Sequence, residues 1–317
     1  MIMERKVSVL VPAYNEQESL KELYDQIIDA VKVMEEKGQV SDYEVWFVND
    51  GSSDETERVM TELHEADEKV HMISFRKNFG KSPALEAGFQ HVTGDIVFTL
   101  DADLQDDPAE FTRFVEKIDE GYDLVVGWKY NRLDPMEKKL PSRLFNFVTS
   151  RMSGITLHDF DCGFKCFRKE VVKAIDVYGE LHRYVPVLAH RKGFRITEIT
   201  VNHRKREHGH SKYGMERYMR GLLDSLTTTF LLKFHDRPMY LFGRIGILSS
   251  MTGFFICMFL TVLKLLGHGI GGRPLLFLGV LLIIVGFQSI STGFVCNLIV
   301  DRNYRSTYDE SHIKTIL

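Results

Sequence analysis

The sequence predicts an α/β domain with a mainly parallel sheet, followed by an interfacial amphipathic helix and two transmembrane helices. Two observations carry that reading. Short β-branched apolar runs alternate with helical periodicities through the first part of the chain. Charged residues are dense up to about Arg244 and then almost vanish until Asp301, so the chain meets two different solvents.

Residues 7–11 form a β-branched run closed by Pro12, and residues 44–48 form another closed by Asn49, Asp50 and Gly51. Both read as buried parallel strands. Between them, residues 18–36 space Leu20, Leu23, Ile27, Val31 and Met34 at helical intervals, giving strand, helix, strand. The alternation continues with a helix over 56–66, a strand over 70–74, a helix over 82–92 and a strand over 95–100. That order builds an α/β sheet, and ligands bind such sheets beyond the carboxyl ends of the strands. Asn15, Asp50, Asn78, Asp101 and Asp103 would gather there. Residues 123–127 read as one more strand, after which the chain is more irregular and more basic up to about Met215.

Residues 215–234 mix Leu222, Leu223, Leu226, Phe230 and Leu231 with Arg217, Arg220 and Lys233. A helix lying in the membrane interface has this pattern, and so does a buried amphipathic helix. Residues 245–263 and 275–300 carry no charge, and each run is enough for the roughly 20 residues that span a bilayer. The connection over 264–273 forces an antiparallel hairpin; a helical hairpin buried in a soluble protein is the alternative. Lys233, Arg237 and Arg244 precede the spans and Arg302, Arg305 and Lys314 follow them, placing both termini and the catalytic region on the cytoplasmic side of the plasma membrane. The expected divisions are 1–214 for the α/β domain, 215–238 for the juxtamembrane helix, 239–301 for the hairpin and 302–317 for a cytoplasmic tail. Gly279, Gly286 and Gly293, with Gly246 and Gly253, recur every seven residues and mark helix contacts. They serve either the hairpin itself or a homo-oligomer touching through Gly286 and Gly293.

A net charge of -4 gives no reason to expect nucleic acid as a partner. Locally, Arg183, Arg191, Lys192, Arg195, Arg204, Lys205, Arg206 and Lys212 could meet phosphates or anionic headgroups, or form a solvated face. Cys162, Cys166, Cys257 and Cys296 lack CxxC spacing, which fits reduced thiols in the cytosol. The first apolar run is too short for a signal peptide.

Asp101 and Asp103 follow the strand at 96–100 directly, and a carboxylate pair at a strand end suits a hard cation, Mg²⁺ or Mn²⁺, that shares its sphere with substrate phosphates. An acidic turn gives the same spacing. Asn49 to Asp54 form a second acidic turn, in which Asp50 is the candidate for the nucleotide and Asp54 an Asx turn at the helix starting near Thr56.

Val11-Pro12-Ala13-Tyr14-Asn15-Glu16, Val48-Asn49-Asp50-Gly51-Ser52-Ser53-Asp54 and Asp101-Ala102-Asp103-Leu104-Gln105-Asp106 resemble family 2 glycosyltransferases. Arg76-Lys77-Asn78-Phe79-Gly80-Lys81, Asp159-Phe160-Asp161-Cys162-Gly163-Phe164-Lys165, His182-Arg183-Tyr184-Val185-Pro186 and Arg206-Glu207-His208-Gly209-His210-Ser211-Lys212-Tyr213 resemble the polyprenyl-phosphate members of that family. The resemblance implies a GT-A nucleotide-sugar fold, a metal at the DxD, inversion at the anomeric carbon and a lipid phosphate acceptor such as undecaprenyl phosphate.

Carried over by position, the resemblance puts Pro12, Tyr14, Glu16, Asp50 and Lys81 around the nucleotide sugar and Asp101, Asp103 and Gln105 on the metal. It puts Lys165, Arg206, Ser211 and Lys212 at phosphates or the acceptor. Catalysis would fall to Asp103, Asp159, Arg206 and Lys212, with Asp159 orienting the acceptor; for Asp159 a structural turn is the alternative. Asp107 stands where Pro is common, and Lys165 where some members have Arg, which loses the bidentate fork. Glucose, UDP-linked, is the donor the resemblance favours, with UDP-N-acetylglucosamine and GDP-mannose as the alternatives. His203, His208 and His210 lack the Cys or acidic partners of a zinc site. A membrane-anchored sugar-nucleotide sensor without turnover is the competing reading.

Overall fold

The computed structural model describes residues 5–130, 146, 149–151, 153–179, 181–202, 204, 238–269 and 274–306. The chain divides into two compact units, Met1–Thr228 with Ser311–Leu317, and Thr229–Glu310.

In the first unit, the apolar runs read from the sequence become strands β1 (Lys6–Ala13), β2 (Asp42–Asn49), β3 (Val70–Ser74), β4 (Ile96–Thr99) and β5 (Leu124–Trp128). Val7, Val9, Leu10 and Val11 of β1 are all fully buried, as expected of a strand covered on both faces. Helices α1 (Leu20–Glu36), α2 (Thr56–Ala66) and α3 (Lys81–His91) connect the first four strands, and α4 (Phe111–Asp119) precedes β5. On α1 the periodic residues Leu20, Leu23, Ile27, Val31 and Met34 are the buried ones.

The irregular stretch expected after residue 127 contains more order than its pattern revealed. It supplies β6 (Lys165–Arg168), α5 (Lys169–Ala174), α6 (Val185–Arg191) and β7 (Ile196–Thr200). The seven strands run in the order β3-β2-β1-β4-β6-β5-β7. Pairs β1–β2, β1–β4, β2–β3 and β5–β7 are parallel, whereas β6 is antiparallel to both β4 and β5. The sheet is therefore mostly parallel, with one reversed strand inserted beside β4. Strand β6 was hard to see because it is four residues long and includes Lys165 and Arg168.

The second unit contains α7 (Met239–Leu265) and α8 (Pro274–Ser306). Met239–Leu265 and Pro274–Val300 are each long and apolar enough to cross a membrane. The amphipathic helix expected over 215–238 and the tail beyond residue 306 lie outside the described residues.

Within the hairpin the glycine stripe is fully used. A Cβ at Gly253 would sit 2.4 Å from the Gly279 carbonyl oxygen, and one at Gly246 would sit 2.7 Å from that of Gly286. Gly286 itself faces Ser250 and the Gly246 carbonyl, and Gly293 faces Met239 and Phe242. Gly286 and Gly293 thus let α7 and α8 approach each other, which is the hairpin role expected of the stripe.

Candidate active site

The carboxyl ends of β1, β2 and β4 bring three loops together. After β1, Asn15 takes a left-handed conformation, φ 58°, that Asn tolerates. Its backbone N–H donates to Ser52 Oγ at 2.9 Å and its Oδ1 accepts from the Ser53 amide at 2.8 Å. The Glu16 amide donates to Thr56 Oγ1 at 2.9 Å. Pro12, Tyr14 and Glu16 are thus held against the loop that carries Asp50. Tyr14 is exposed.

Asp50 is buried, and its two oxygens accept from the backbone amides of Phe79 at 2.7 Å and Gly80 at 2.9 Å. It therefore fixes the loop leading into α3, a role the sequence did not suggest. Gly51, at φ 66°, completes the joint: a Cβ there would lie 2.2 Å from the carbonyl carbon of Lys77. Asp54 Oδ1 accepts from the Thr56 amide at 3.0 Å, as the Asx-turn reading expects.

Anchoring that loop aims Lys81, the first residue of α3, at Asp101, and its ammonium pairs with Asp101 Oδ1. The Asp101 carboxyl also lies against Gly163, where a Cβ would come within 2.6 Å of Oδ2. Burial works against the Asp101 charge, but Lys81, Lys129 and Lys165 outweigh it and bring the pKa down to about 2. Asp103 goes the other way. Burial, then the charges of Asp101 and Asp106, push its carboxyl up to about 6. Two crowded carboxylates with oxygen-only donors are what a hard divalent cation relieves. Among the described residues no three His, Cys, Asp or Glu surround one point, so the remaining ligands would come from substrate phosphates and water.

Between the two carboxylates and Gln105, Leu104 is held at φ 61°. For a bulky residue this is a strained conformation, of the kind that collects at functional sites. It turns the chain so that Asp103 Oδ1 accepts from the Gln105 amide at 3.2 Å. The Gln105 side chain donates through Nε2 to the Arg204 carbonyl at 3.4 Å, which orients it toward residue 204.

Sequence reasoning missed the roles of Asp106, Lys129 and His182. Asp106 is fully buried and pairs with Lys129 Nζ at 2.7 Å; Lys129 lies just past β5, where the strand-end rule could have found it. Burial would lower the Lys129 pKa, but Asp106 and its neighbours raise it. His182 accepts no charge easily, since burial and then Lys81 press its pKa to about 3; it meets Ser82 Oγ at 2.9 Å. Nothing in the sequence signals the Leu104 conformation.

Lys165 sits in a pocket with Lys81, Thr99, Asp161, Gly163 and His182. It is 4% exposed, its Nζ contacts the Cys162 carbonyl, and burial lowers its pKa. Asp159 is buried in the segment leading to β6. Residues around it are firmly held: the His158 amide donates to Glu198 Oε2 at 2.8 Å, the His158 ring stacks on Trp128 at 3.9 Å, and Asn146 Nδ2 donates to the His158 carbonyl at 2.6 Å. Arg206, Ser211 and Lys212 lie outside the described residues, as do His203, His208 and His210.

Residues 8–176 match the family model described as Glycosyl transferase family 2. The chain is 33% identical to dodecaprenyl-phosphate galacturonate synthase of Rhizobium johnstonii, over 98% of this chain and 93% of that protein. It is 35% identical to undecaprenyl-phosphate 4-deoxy-4-formamido-L-arabinose transferase of Yersinia pestis, over 92% of this chain and 87% of that protein. Among solved structures, glucosyl-3-phosphoglycerate synthase from Mycobacterium tuberculosis in complex with Mn²⁺, UDP and phosphoglyceric acid superposes with a TM-score of 0.53 at 19% identity. That match covers 71% of this chain and 78% of the other and shows a shared fold. The same enzyme in complex with Mg²⁺ and UDP gives a TM-score of 0.51, also at 19% identity, over 71% of this chain and 79% of that one.

Proposed function

The chain belongs to glycosyl transferase family 2, and from that premise we propose that it moves a sugar from a nucleotide sugar to a polyprenyl phosphate at the cytoplasmic face of the plasma membrane. The observation that carries this reading is the Asp101, Asp103 and Lys81 cluster at the carboxyl end of β4, in a chain that also bears two membrane-length helices. The relatives support the acceptor. Two of them, aligned over more than nine-tenths of the chain, are named for different sugars yet both for a polyprenyl phosphate.

In this reading Pro12, Tyr14, Glu16 and Asp50 line the nucleotide pocket, and Asp101 and Asp103 hold Mg²⁺ or Mn²⁺, with Gln105 as a further donor. The structural neighbours, bound to Mn²⁺ or Mg²⁺ with UDP, support the choice of ion. Such a cation supplies charge neutralisation for the departing diphosphate. Lys81, Lys165, Arg206, Ser211 and Lys212 supply further phosphate contacts, and the buried segment around Asp159 orients the acceptor. A lipid monophosphate is already ionised at neutral pH, so the chain needs no strong general base to activate it.

UDP-glucose is the proposed donor, with inversion at the anomeric carbon. The relatives' names make galacturonate and formamido-arabinose donors the other arms of the test. Full-length protein in detergent is incubated with undecaprenyl phosphate and a panel of UDP- and GDP-sugars, and products are identified by mass spectrometry. A lipid-linked sugar from one donor supports the proposal and names the sugar. Absence of any lipid-linked product, with the protein folded and binding nucleotide, would sink it in favour of a sensor.

A further inference from the structure

We propose that Lys81 is an exchangeable counter-ion of Asp101, so that a divalent cation and a nucleoside diphosphate enter the site together. The inference rests on the function proposed above and adds how its site is loaded. Asp101, one of the two carboxylates assigned to the cation, already carries a positive partner on Oδ1, while Gly163 packs close against its carboxyl. A cation arriving at Asp101 therefore competes with the Lys81 ammonium.

Charge balance sharpens the competition. Around the end of β4, Lys81 pairs with Asp101, Lys129 with Asp106 and Arg183 with Asp161 at 3.6 Å, while Asp103 and Lys165 stand nearby without ion-pair partners among the described residues. A divalent ion alone would leave uncompensated positive charge in a half-buried place, which is unfavourable. A diphosphate arriving with it restores the balance and gives the displaced ammonium new oxygens.

Only Lys81 is built to move. Lys129 is 11% exposed and locked to a fully buried Asp106, and Lys165 lies deeper still. Lys81 and Asp101 have side chains 29% and 35% exposed. Asp50 fixes the backbone at Phe79 and Gly80, so the root of Lys81 stays in place while its flexible stem swings.

The test measures Mn²⁺ binding by the full chain in detergent, using the loss of the free-ion paramagnetic resonance signal, with and without UDP. Wild type should bind Mn²⁺ weakly alone, and saturating UDP should tighten it by at least about tenfold. Lys81→Met should bind Mn²⁺ alone about tenfold more tightly than wild type and show a smaller added effect of UDP than wild type does, the part left being direct ligation by the phosphates. Lys81→Arg, which keeps the charge, should stay at or below the wild-type affinity.

The inference is overturned if Lys81→Met and Lys81→Gln, both with wild-type melting temperatures, bind Mn²⁺ alone no better than wild type. It is equally overturned if UDP leaves wild-type Mn²⁺ affinity unchanged, a measurement that needs no variant. Either result together with normal glycolipid synthesis strikes this inference alone. The expected binding pattern without any glycolipid product supports the counter-ion role and strikes the acceptor reading instead.

Discussion

Two buried charge clusters sit at opposite ends of the same strands, and they are built differently. At the amino end, Glu44 accepts from Ser8 Oγ at 2.6 Å, the Thr93 amide at 2.7 Å and Thr93 Oγ1 at 2.8 Å, and pairs with Lys6 Nζ at 2.8 Å. Ser8 Oγ in turn accepts from the Gly94 amide at 2.8 Å. Burial alone would raise the Glu44 pKa, but these partners bring it down to about 2. At the carboxyl end, Asp103 and Lys165 have no ion-pair partner among the described residues, and the Asp103 pKa moves up. A saturated cluster stabilises the fold; an incompletely answered one is held ready for a ligand.

The largest expected effect separates the two ends by activity. Asp103→Ala should lower the rate of glycolipid formation by at least about 100-fold, as for loss of a direct charge-stabilising contact, while its melting temperature stays level or rises. A loss under tenfold would remove Asp103 from the site. Glu44→Ala should do the opposite, reducing stability by about 3 kcal/mol because it strands Lys6 and the Ser8 and Thr93 donors, with turnover per folded molecule unchanged.

The same carboxylate gives the comparison a pH axis. Because the folded pKa of Glu44 lies below its ordinary 4.5, its contribution is complete above that value and is lost as pH falls toward about 2. Denaturant midpoints should therefore fall across that window in wild type by more than in Glu44→Gln. Parallel curves for the two proteins would mean the cluster is not coupled to folding.

Two smaller effects probe regions outside the clusters. Gly253→Leu should weaken the helical hairpin by about 1–3 kcal/mol through overpacking against the Gly279 carbonyl, read from denaturation in mixed micelles. A leucine tolerated there at no cost would show that the helices do not meet along that face. Asp54→Ala should cost about 1 kcal/mol through the bond lost to the Thr56 amide, with donor KM unchanged; a raised KM would move Asp54 into the nucleotide pocket.

The legible part of the fold was the part with strong local pattern. β1 to β5 and α1 to α3 follow from apolar runs and helical spacing, and both long helices from long apolar stretches without charge. β6 and β7 were not legible: the first is short and half charged, and the second has only Ile199 buried among its five residues. Asp101 and Asp103 stood out because they follow a buried strand directly. The second job of Asp50, binding the Phe79 and Gly80 amides, depends on two loops meeting, which no local window contains. Lys129 and Asp106 were missed for the same reason, since their pairing joins the ends of β4 and β5. Leu104 was missed because a left-handed backbone at a leucine leaves no mark in composition.

The seam of the hairpin has an evolutionary consequence. Where α7 and α8 touch through Gly246, Gly253, Gly279 and Gly286, each glycine lies against backbone and side chains of the facing helix, among them Ile290, Ile283, Cys257 and Ser250, and none of the four has room for a larger residue. Outward residues such as Leu248, Phe255, Leu281 and Phe287 are exposed and carry no share of that fit. The exterior can therefore change without disturbing the seam. A hairpin of this design can be refitted to new surroundings by rewriting its outer coat alone.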